Sequence, residues 1–291
     1  MNSFLNETIS RIKNTSDTPG LDAQTLLAHI SGRKRNWVLA HPEMELKSGQ
    51  QKRLASAILL LQSGVPLPYI LGIWEFFGLE LFISNDVLIP RSETELLVEK
   101  ALEWLQARPQ HCLMIDMGTG SGCIAIALAF HVKDLLVKAI DISKSALVIA
   151  RSNAEKFSVA ERMNFMLGDL WDQIVPGKNR FISTDNDLFD GRADLITANL
   201  PYIPTDCLHE LKIYGKEPDL ALDGGKDGLD VIQRFLRSAQ RHLKPDGLIL
   251  MEVEAYHGSA SLQLAKQYFP KAKLQLRQDL SGKDRLIEIQ Q

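Results

Sequence analysis

Leu113-Met114-Ile115-Asp116-Met117-Gly118-Thr119-Gly120-Ser121-Gly122 runs directly into Cys123-Ile124-Ala125-Ile126-Ala127-Leu128-Ala129-Phe130. Leu113–Asp116 reads as a buried strand and the apolar run from Cys123 as a buried helix, within a helical segment Ser121–His131. Glycines at alternate positions between them let the backbone turn sharply and leave no Cβ in the path of an approaching ligand. Strand and helix then keep alternating, which predicts a parallel sheet wound on both faces. Further strands are expected at Leu135–Asp141, Met163–Leu167, Ala193–Ala198 and Leu248–Val253. Helices are expected at Lys144–Phe157, Asp227–Leu243 and Ser259–Tyr268. The end departs from the alternation: Lys273–Gln278 and Arg285–Ile289 are strand-like and separated only by Leu280-Ser281-Gly282-Lys283-Asp284. That gap holds a hairpin and no helix, so one of the last strands must run antiparallel. The polar stretch Trp171–Arg192, with Pro176-Gly177, reads as a long mobile loop.

Upstream, residues 1 to about 64 read as helices, with Leu21, Leu26, Leu27 and Ile30 on one face and Leu54, Ile58 and Leu61 on another. Val65–Pro90 changes texture, and Trp74-Glu75-Phe76-Phe77-Gly78-Leu79-Glu80-Leu81-Phe82-Ile83 predicts a hairpin about its glycine. Ser92–Ala107 follows as an amphipathic helix burying Leu96, Leu97, Ala101, Leu102 and Leu105, with Ser92 and Glu95 at capping-box spacing.

The 291 residues are 45% apolar and 24% charged, with a formal charge of −3, which excludes a global cation field toward nucleic acid. No apolar run is long enough to span a bilayer, and Met1–Lys13 lacks a signal-peptide core. Cys112, Cys123 and Cys207 form no disulfide framework, and Cys207-x-His209 has no second pair at metal-ligand spacing. A reduced, cytoplasmic, soluble protein without a metal is expected.

The glycine loop acquires chemical meaning from the strand that follows. Asp141 lies nineteen residues beyond Gly122, at a strand end, where its carboxylate can accept from both hydroxyls of a ribose. Dinucleotide sites use G-x-G-x-x-G and set a pyrophosphate on a helix N-terminus. Here the pattern is G-x-G-x-G, and Asp116 before it would repel a pyrophosphate and suit an ammonium group. The third strand ends in Gly168-Asp169-Leu170, whose acid can accept from an adenine amine. Acids at three successive strand ends favour S-adenosyl-L-methionine, which has an ammonium, a ribose and no phosphate. The expected cofactor contacts are Asp116, Gly118, Thr119, Gly120, Ser121, Gly122, Asp141, Asp169, Leu170 and Asn199. The terminal hairpin resembles that of the seven-stranded methyltransferase fold.

Ala198-Asn199-Leu200-Pro201-Tyr202 ends the fourth strand and resembles the Asn-Pro-Pro-Tyr signature of methyltransferases acting on nitrogens conjugated to an sp² centre. Such a nitrogen has a delocalised lone pair. The Asn199 side-chain oxygen and the Leu200 carbonyl can each accept one of its hydrogens, aiming the remaining electron density at a methyl donor. Pro201 stiffens the turn and Tyr202 can stack on a planar acceptor. Catalysis would be mainly orientation.

Wider similarity runs through Pro66-Leu67-Pro68-Tyr69-Ile70-Leu71-Gly72, Trp74–Leu79, Leu88-Ile89-Pro90-Arg91-Ser92-Glu93-Thr94-Glu95, Asp116–Gly122, Glu217-Pro218, Ala221–Asp230 and Asp279–Arg285. Over essentially its whole length the chain resembles the peptide chain release factor glutamine N5-methyltransferases. The resemblance implies methyl transfer to the glutamine amide of a release factor's Gly-Gly-Gln motif. It also implies a small helical N-terminal domain that helps dock the factor. The expected organisation is a helical docking domain over 1–72, a β-hairpin connector over 73–90 and a catalytic α/β domain over 91–291. Two positions depart from the family: Leu200 replaces the usual proline, and Glu252-Val253-Glu254-Ala255-Tyr256-His257-Gly258 lacks the usual glycine soon after Glu252. Arg91 and Glu93 fit either a pocket role or a helix entry.

Two other readings stand beside this one. Asn-Leu-Pro-Tyr is similar to the acceptor motif of rRNA adenine dimethyltransferases and would serve adenine N6 after base flipping. A non-catalytic cofactor-binding paralogue is the other. Charge favours a protein partner over stable nucleic-acid binding: residues 1–72 hold eight Lys/Arg against five Asp/Glu, a formal +3, which leaves −6 for 73–291.

Overall fold

The computed structural model describes residues 3–108, 112–172 and 192–291. The long loop expected over Trp171–Arg192 lies, apart from its ends, outside the described residues. The chain divides into two compact units, residues 1–74 and 75–291.

The first unit is helical: α1 (Ser3–Ile12), α2 (Pro19–Ser31), α3 (Arg35–Ala40), α4 (Ser48–Gln62) and α5 (Leu67–Leu71). Ala23, Leu26, Leu27 and Ile30 of α2 are buried with Leu54, Ile58 and Leu61 of α4. Leu21, expected on the buried face, is 44% exposed. At about 100° per residue it sits roughly 140° round the helix from Leu26, whereas Ala23 completes the i, i+3, i+4, i+7 stripe. Helix α5 lies inside the stretch Val65–Pro90, where the sequence changes texture. Proline is tolerated in a first helical turn, and Gly72 closes the helix in a left-handed conformation (φ 70°).

The unit boundary falls within β1 (Ile73–Phe76), which pairs with β2 (Leu79–Phe82). Phe77 and Gly78 both have positive φ (51° and 73°), the backbone of a tight hairpin turn. Helix α6 (Glu95–Gln106) is entered through a 3-10 turn at Ser92–Thr94. The expected capping box is not formed. Ser92 Oγ donates to Glu93 Oε2 (3.0 Å), and Glu95 Oε1 accepts from the Phe77 amide (2.8 Å), so Glu95 ties the hairpin to the helix instead. Leu97, Ala101 and Leu105 are buried as expected, together with Val98, while Leu96 and Leu102 are half-buried.

Then follow β3 (Leu113–Met117), α7 (Cys123–His131), β4 (Leu136–Asp141), α8 (Lys144–Lys156), β5 (Met163–Leu167), β6 (Ala193–Ala198), α9 (Asp230–His242), β7 (Leu243–Glu252), α10 (Gly258–Tyr268), β8 (Lys273–Gln278) and β9 (Asp284–Gln290). The seven strands lie in the order β5-β4-β3-β6-β7-β9-β8. All pairings from β5 to β7 are parallel, and β9 runs antiparallel between β7 and β8. Continuous apolar runs suit strands covered on both faces, and β3 has every residue buried. The order reverses between β3 and β6, and ligands of open α/β sheets bind at such a switch point, outside the carboxyl strand ends. Register brings those ends level: Met117 pairs with Ile140 and with Ala198, and Asp141 pairs with Leu167.

Candidate active site

A cavity of about 240 Å³ opens at the carboxyl ends of β3, β4, β5 and β6. Its floor is the glycine loop. Gly118, Gly120 and Gly122 all adopt left-handed φ (71°, 55° and 82°), a conformation costly for residues with a Cβ. The amides of Gly118 and Thr119 both donate to the Ile140 carbonyl (2.9 Å each), pinning the loop over β4. A Cβ at Gly120 would meet no protein atom within 4 Å, whereas one at Gly122 would lie 2.7 Å from Ile126 Cδ1 and 3.2 Å from Ala150 Cβ. Gly120 therefore faces open space, and Gly122 allows close packing of α7 against α8.

Of the sequence-predicted residues, Gly118, Thr119, Gly120, Ser121 and Asp141 line the cavity. Asp169, Leu170, Asn199, Leu200 and Pro201 complete the set gathered there. Asp116, Gly122 and Tyr202 are not among the lining residues, and each departure has a physical reason.

Asp116 is 1% exposed beneath the loop. Its Oδ2 accepts from Thr119 Oγ1 (2.7 Å) and its Oδ1 from Thr197 Oγ1 (2.7 Å). Both carboxyl oxygens are thus held by hydroxyls of the loop and of β6, so this carboxyl braces the loop from below. Burial raises its pKa to about 6, against the two hydroxyl bonds, which lower it. Tyr202 is half-buried against the core on the α9 side of the sheet rather than facing the cavity. Burial first, then the charges of Glu252 and Glu254, push its phenol well above the ordinary range.

Asp141 accepts from the amides of Gly120 (Oδ2, 2.8 Å) and Ser143 (Oδ1, 2.8 Å), so it joins the loop to the start of α8. Its pKa is raised, burial outweighing those bonds. Asp169 carries an ion pair to Arg234 of α9 (2.6 Å), both partners lining the cavity and partly exposed. Asn199 Nδ2 donates to Thr94 Oγ1 (3.2 Å), which commits the amide nitrogen and leaves Oδ1 as its acceptor end. Leu200 is 3% exposed, and its Cδ2 lies 3.2 Å from the place a Gly118 Cβ would occupy.

The turn after β6 is held from outside by the glycine-rich segment 223–230. The Ile203 amide donates to the Leu222 carbonyl (3.0 Å), and the Gly224 amide to the Ile203 carbonyl (2.8 Å). Cβ atoms at Gly224 and Gly228 would lie 2.7 Å from Tyr202 Cα and 2.3 Å from Tyr202 O. At the cavity rim Arg91 pairs with the buried Glu217, whose Oε2 also accepts from the Ile89 amide (3.1 Å). Glu93 is not among the lining residues.

Sequence reasoning missed Thr94, Arg234 and Asn153. Asn153, fully buried on α8, donates to the Phe82 and Ser121 carbonyls (2.9 Å each) and accepts from the Phe82 amide (2.6 Å), clamping β2 to the loop. A buried-face asparagine in an amphipathic helix was the available signal. Arg234 had none distinguishing it from the other arginines of α9.

Residues 3–72 match the family model described as the PrmC N-terminal domain, and residues 94–203 one described as Ribosomal protein L11 methyltransferase (PrmA). A protein of Moorella thermoacetica called Release factor glutamine methyltransferase is 37% identical, over 92% of this chain and 90% of its own length. The chain belongs to the release factor glutamine methyltransferase family. A Bordetella pertussis member of that name is 35% identical, over 92% of this chain and 93% of its own. The solved hMettl16 catalytic domain in complex with MAT2A 3'UTR hairpin 1 shares the fold, with a TM-score of 0.53 at 17% identity, covering 84% of this chain and 81% of that one. Among the described residues, no helix is long and apolar enough to cross a membrane.

Proposed function

We propose that this protein transfers a methyl group from S-adenosyl-L-methionine to the side-chain amide nitrogen of the glutamine in a release factor's Gly-Gly-Gln motif. The observation that carries the reading is Asn199, whose amide nitrogen is committed to Thr94 at the edge of the glycine-floored cavity. Family membership supplies the acceptor.

The residues present fit the cofactor. The loop backbone, open above Gly120, would cradle its amino-acid end, Asp141 would receive the ribose hydroxyls, and Asp169 with Leu170 would flank the adenine. No Lys or Arg lies within Asp116–Gly122, and the Gly120 amide, a backbone donor of the loop, is already held by Asp141 Oδ2 (2.8 Å). When bound, S-adenosylmethionine supplies an electrophilic sulfonium methyl. Asn199 Oδ1 and the Leu200 carbonyl accept the two amide hydrogens of the glutamine and fix its plane. Pro201 restricts the turn that presents them. No strong base is needed before transfer, because the nitrogen becomes acidic as its bond to the methyl forms.

Residues 1–72, formally +3, form the docking domain in this reading, 73–90 the connector and 91–291 the catalytic part, and nucleic acid is no stable partner. Incubation with labelled S-adenosylmethionine and purified release factor tests the assignment. Label enters the intact factor and not its Gln→Ala form; label in both would sink it.

A further inference from the structure

Residues 83–91 form turns and irregular chain rather than helix or strand, so backbone donors buried there need acceptors from elsewhere. The buried Ile89 amide donates to Glu217 Oε2 (3.1 Å), and the other oxygen, Oε1, accepts from Arg91 Nη2. The Glu217 side chain is 1% exposed and is not part of the cavity wall. Arg91 precedes the 3-10 turn that leads into α6. Its carbonyl accepts from the Thr94 amide (3.2 Å), and the Thr94 hydroxyl accepts from Asn199 Nδ2 (3.2 Å). The place of Thr94 therefore follows from that of Arg91, and the place of Arg91 from that of Glu217.

The chain that begins at Glu217 also reaches the turn bearing Asn199. Pro218, Leu220 and Ala221 line the cavity. Beyond them the Leu222 carbonyl accepts from the Ile203 amide (3.0 Å), and the Gly224 amide donates to the Ile203 carbonyl (2.8 Å). Ile203 lies four residues after Asn199. Residues 217–224 are thus bonded at one end to the stretch that carries Thr94 and at the other to the turn that carries Asn199.

We infer that Glu217 is a positioning residue, a clasp that fixes Thr94 opposite Asn199 by tying residues 89–91 to the segment that holds the turn. The role rests on the reading under Proposed function, in which the acceptor end of Asn199 meets the glutamine amide. A carboxyl suits the clasp because it offers an acceptor oxygen to each of two donors. A glutamine of the same shape has one such oxygen, so its NH₂ must face either the Ile89 amide or the Arg91 guanidinium. On the Arg91 side one nitrogen, Nη2, makes the bond. A lysine can deliver one charged donor at similar reach, and a methionine none. Loosening the clasp lets Thr94 drift from Asn199 while the glycine loop keeps its own bonds, and a drift of about 1 Å at an orienting group can cost on the order of 100-fold in rate.

A double-mutant cycle on the full-length protein tests the clasp. Glu217→Gln and Thr94→Val each lower kcat for release-factor methylation on the order of tenfold or more, at unchanged cofactor Kd. Combined, they are no worse than Thr94→Val alone, because Glu217 acts through the bond that Thr94→Val removes. Effects that multiply in the double variant overturn the clasp, as does a loss in Glu217→Gln that lies in cofactor Kd. Should the buried variant not fold, Arg91, one-third exposed, gives the same test from the other partner. Arg91→Met lowers kcat as Glu217→Gln does and Arg91→Lys restores most of it, whereas equal impairment of the two overturns the clasp. A second measurement needs no substrate: the Asn199 side-chain amide resonances move in Glu217→Gln, and on a Thr94→Val background the same substitution moves them no further. If they behave so while the wild type labels no release factor, the clasp holds and the acceptor assignment fails. If the wild type labels the factor and Glu217→Gln leaves the resonances in place, the clasp fails alone.

Discussion

Asn199 shows how one side chain can be both legible and incomplete in a sequence. Its place directly after the strand β6 marks it as an orienting group, but an amide has two chemically opposite ends, and Thr94, 105 residues away, holds the nitrogen end. Asn199→Ala is expected to cut turnover on the order of 100-fold while leaving calorimetric cofactor affinity unchanged; near-normal turnover would remove its orienting role. Asp116 illustrates a different limit. Its position before the glycines suits a ligand contact, yet the structure uses it to brace the loop, at a cost that depends on pH. A carboxyl held at about 6 instead of 3.8 stabilises the fold relative to its ionised form below the lower value. That contribution is lost as pH rises through the folded value, roughly 3 kcal/mol in all. Thermal unfolding of wild type and Asp116→Asn should therefore diverge between acid and neutral pH, the wild type losing ground to the variant as pH rises. A constant difference across that range would show that Asp116 does not titrate in the folded protein as described.

Among the elements, the strands and long helices were readable because apolar periodicity reports which faces are buried. Met163–Leu167, Ala193–Ala198 and Lys273–Gln278 fall where expected. The failures occur where local rules have competitors. Ser92 and Glu95 have capping-box spacing, but the Phe77 amide takes the Glu95 carboxylate, and a 3-10 turn replaces the first turn of the helix. Strand β7 begins at Leu243, five residues early, through an irregular stretch in which Asp246 has φ 60°. The segment 223–230 was visible only as a resemblance, and its physical purpose is close approach to the turn bearing Asn199. Gly228→Ala would place a Cβ 2.3 Å from Tyr202 O at φ 76°, a backbone clash that no side-chain rotation relieves. A loss of about 1–3 kcal/mol in unfolding free energy is expected, with kcat falling more than cofactor affinity. Wild-type stability in that variant would mean the segment does not hold the turn.

At the scale of the whole molecule, charge is divided as well as fold. The formal −3 consists of +3 over residues 1–72 and −6 over the rest. Within the helical unit Arg33, Lys34 and Arg35 are all exposed, and the Arg33 guanidinium lies 4.9 Å from the Trp37 ring centre. Reversing all three charges should raise KM for the release factor by about tenfold or more and weaken its salt dependence, with cofactor Kd untouched. An unchanged KM would remove this patch from docking. By itself the sequence determined the alternating α/β architecture, the antiparallel end, the glycine loop with Asp141, and the turn at Asn199. Each rests on interactions between near neighbours: apolar periodicity, backbone conformations reserved for glycine, and a gap too short for a helix. Only the tertiary structure decided that Asp116 lies under the loop, that Tyr202 is not among the cavity-lining residues, and that Thr94, Arg234 and Asn153 take part. Those outcomes depend on groups meeting across gaps of 65 to 105 residues, where burial and hydrogen-bond competition, rather than spacing, choose the partner.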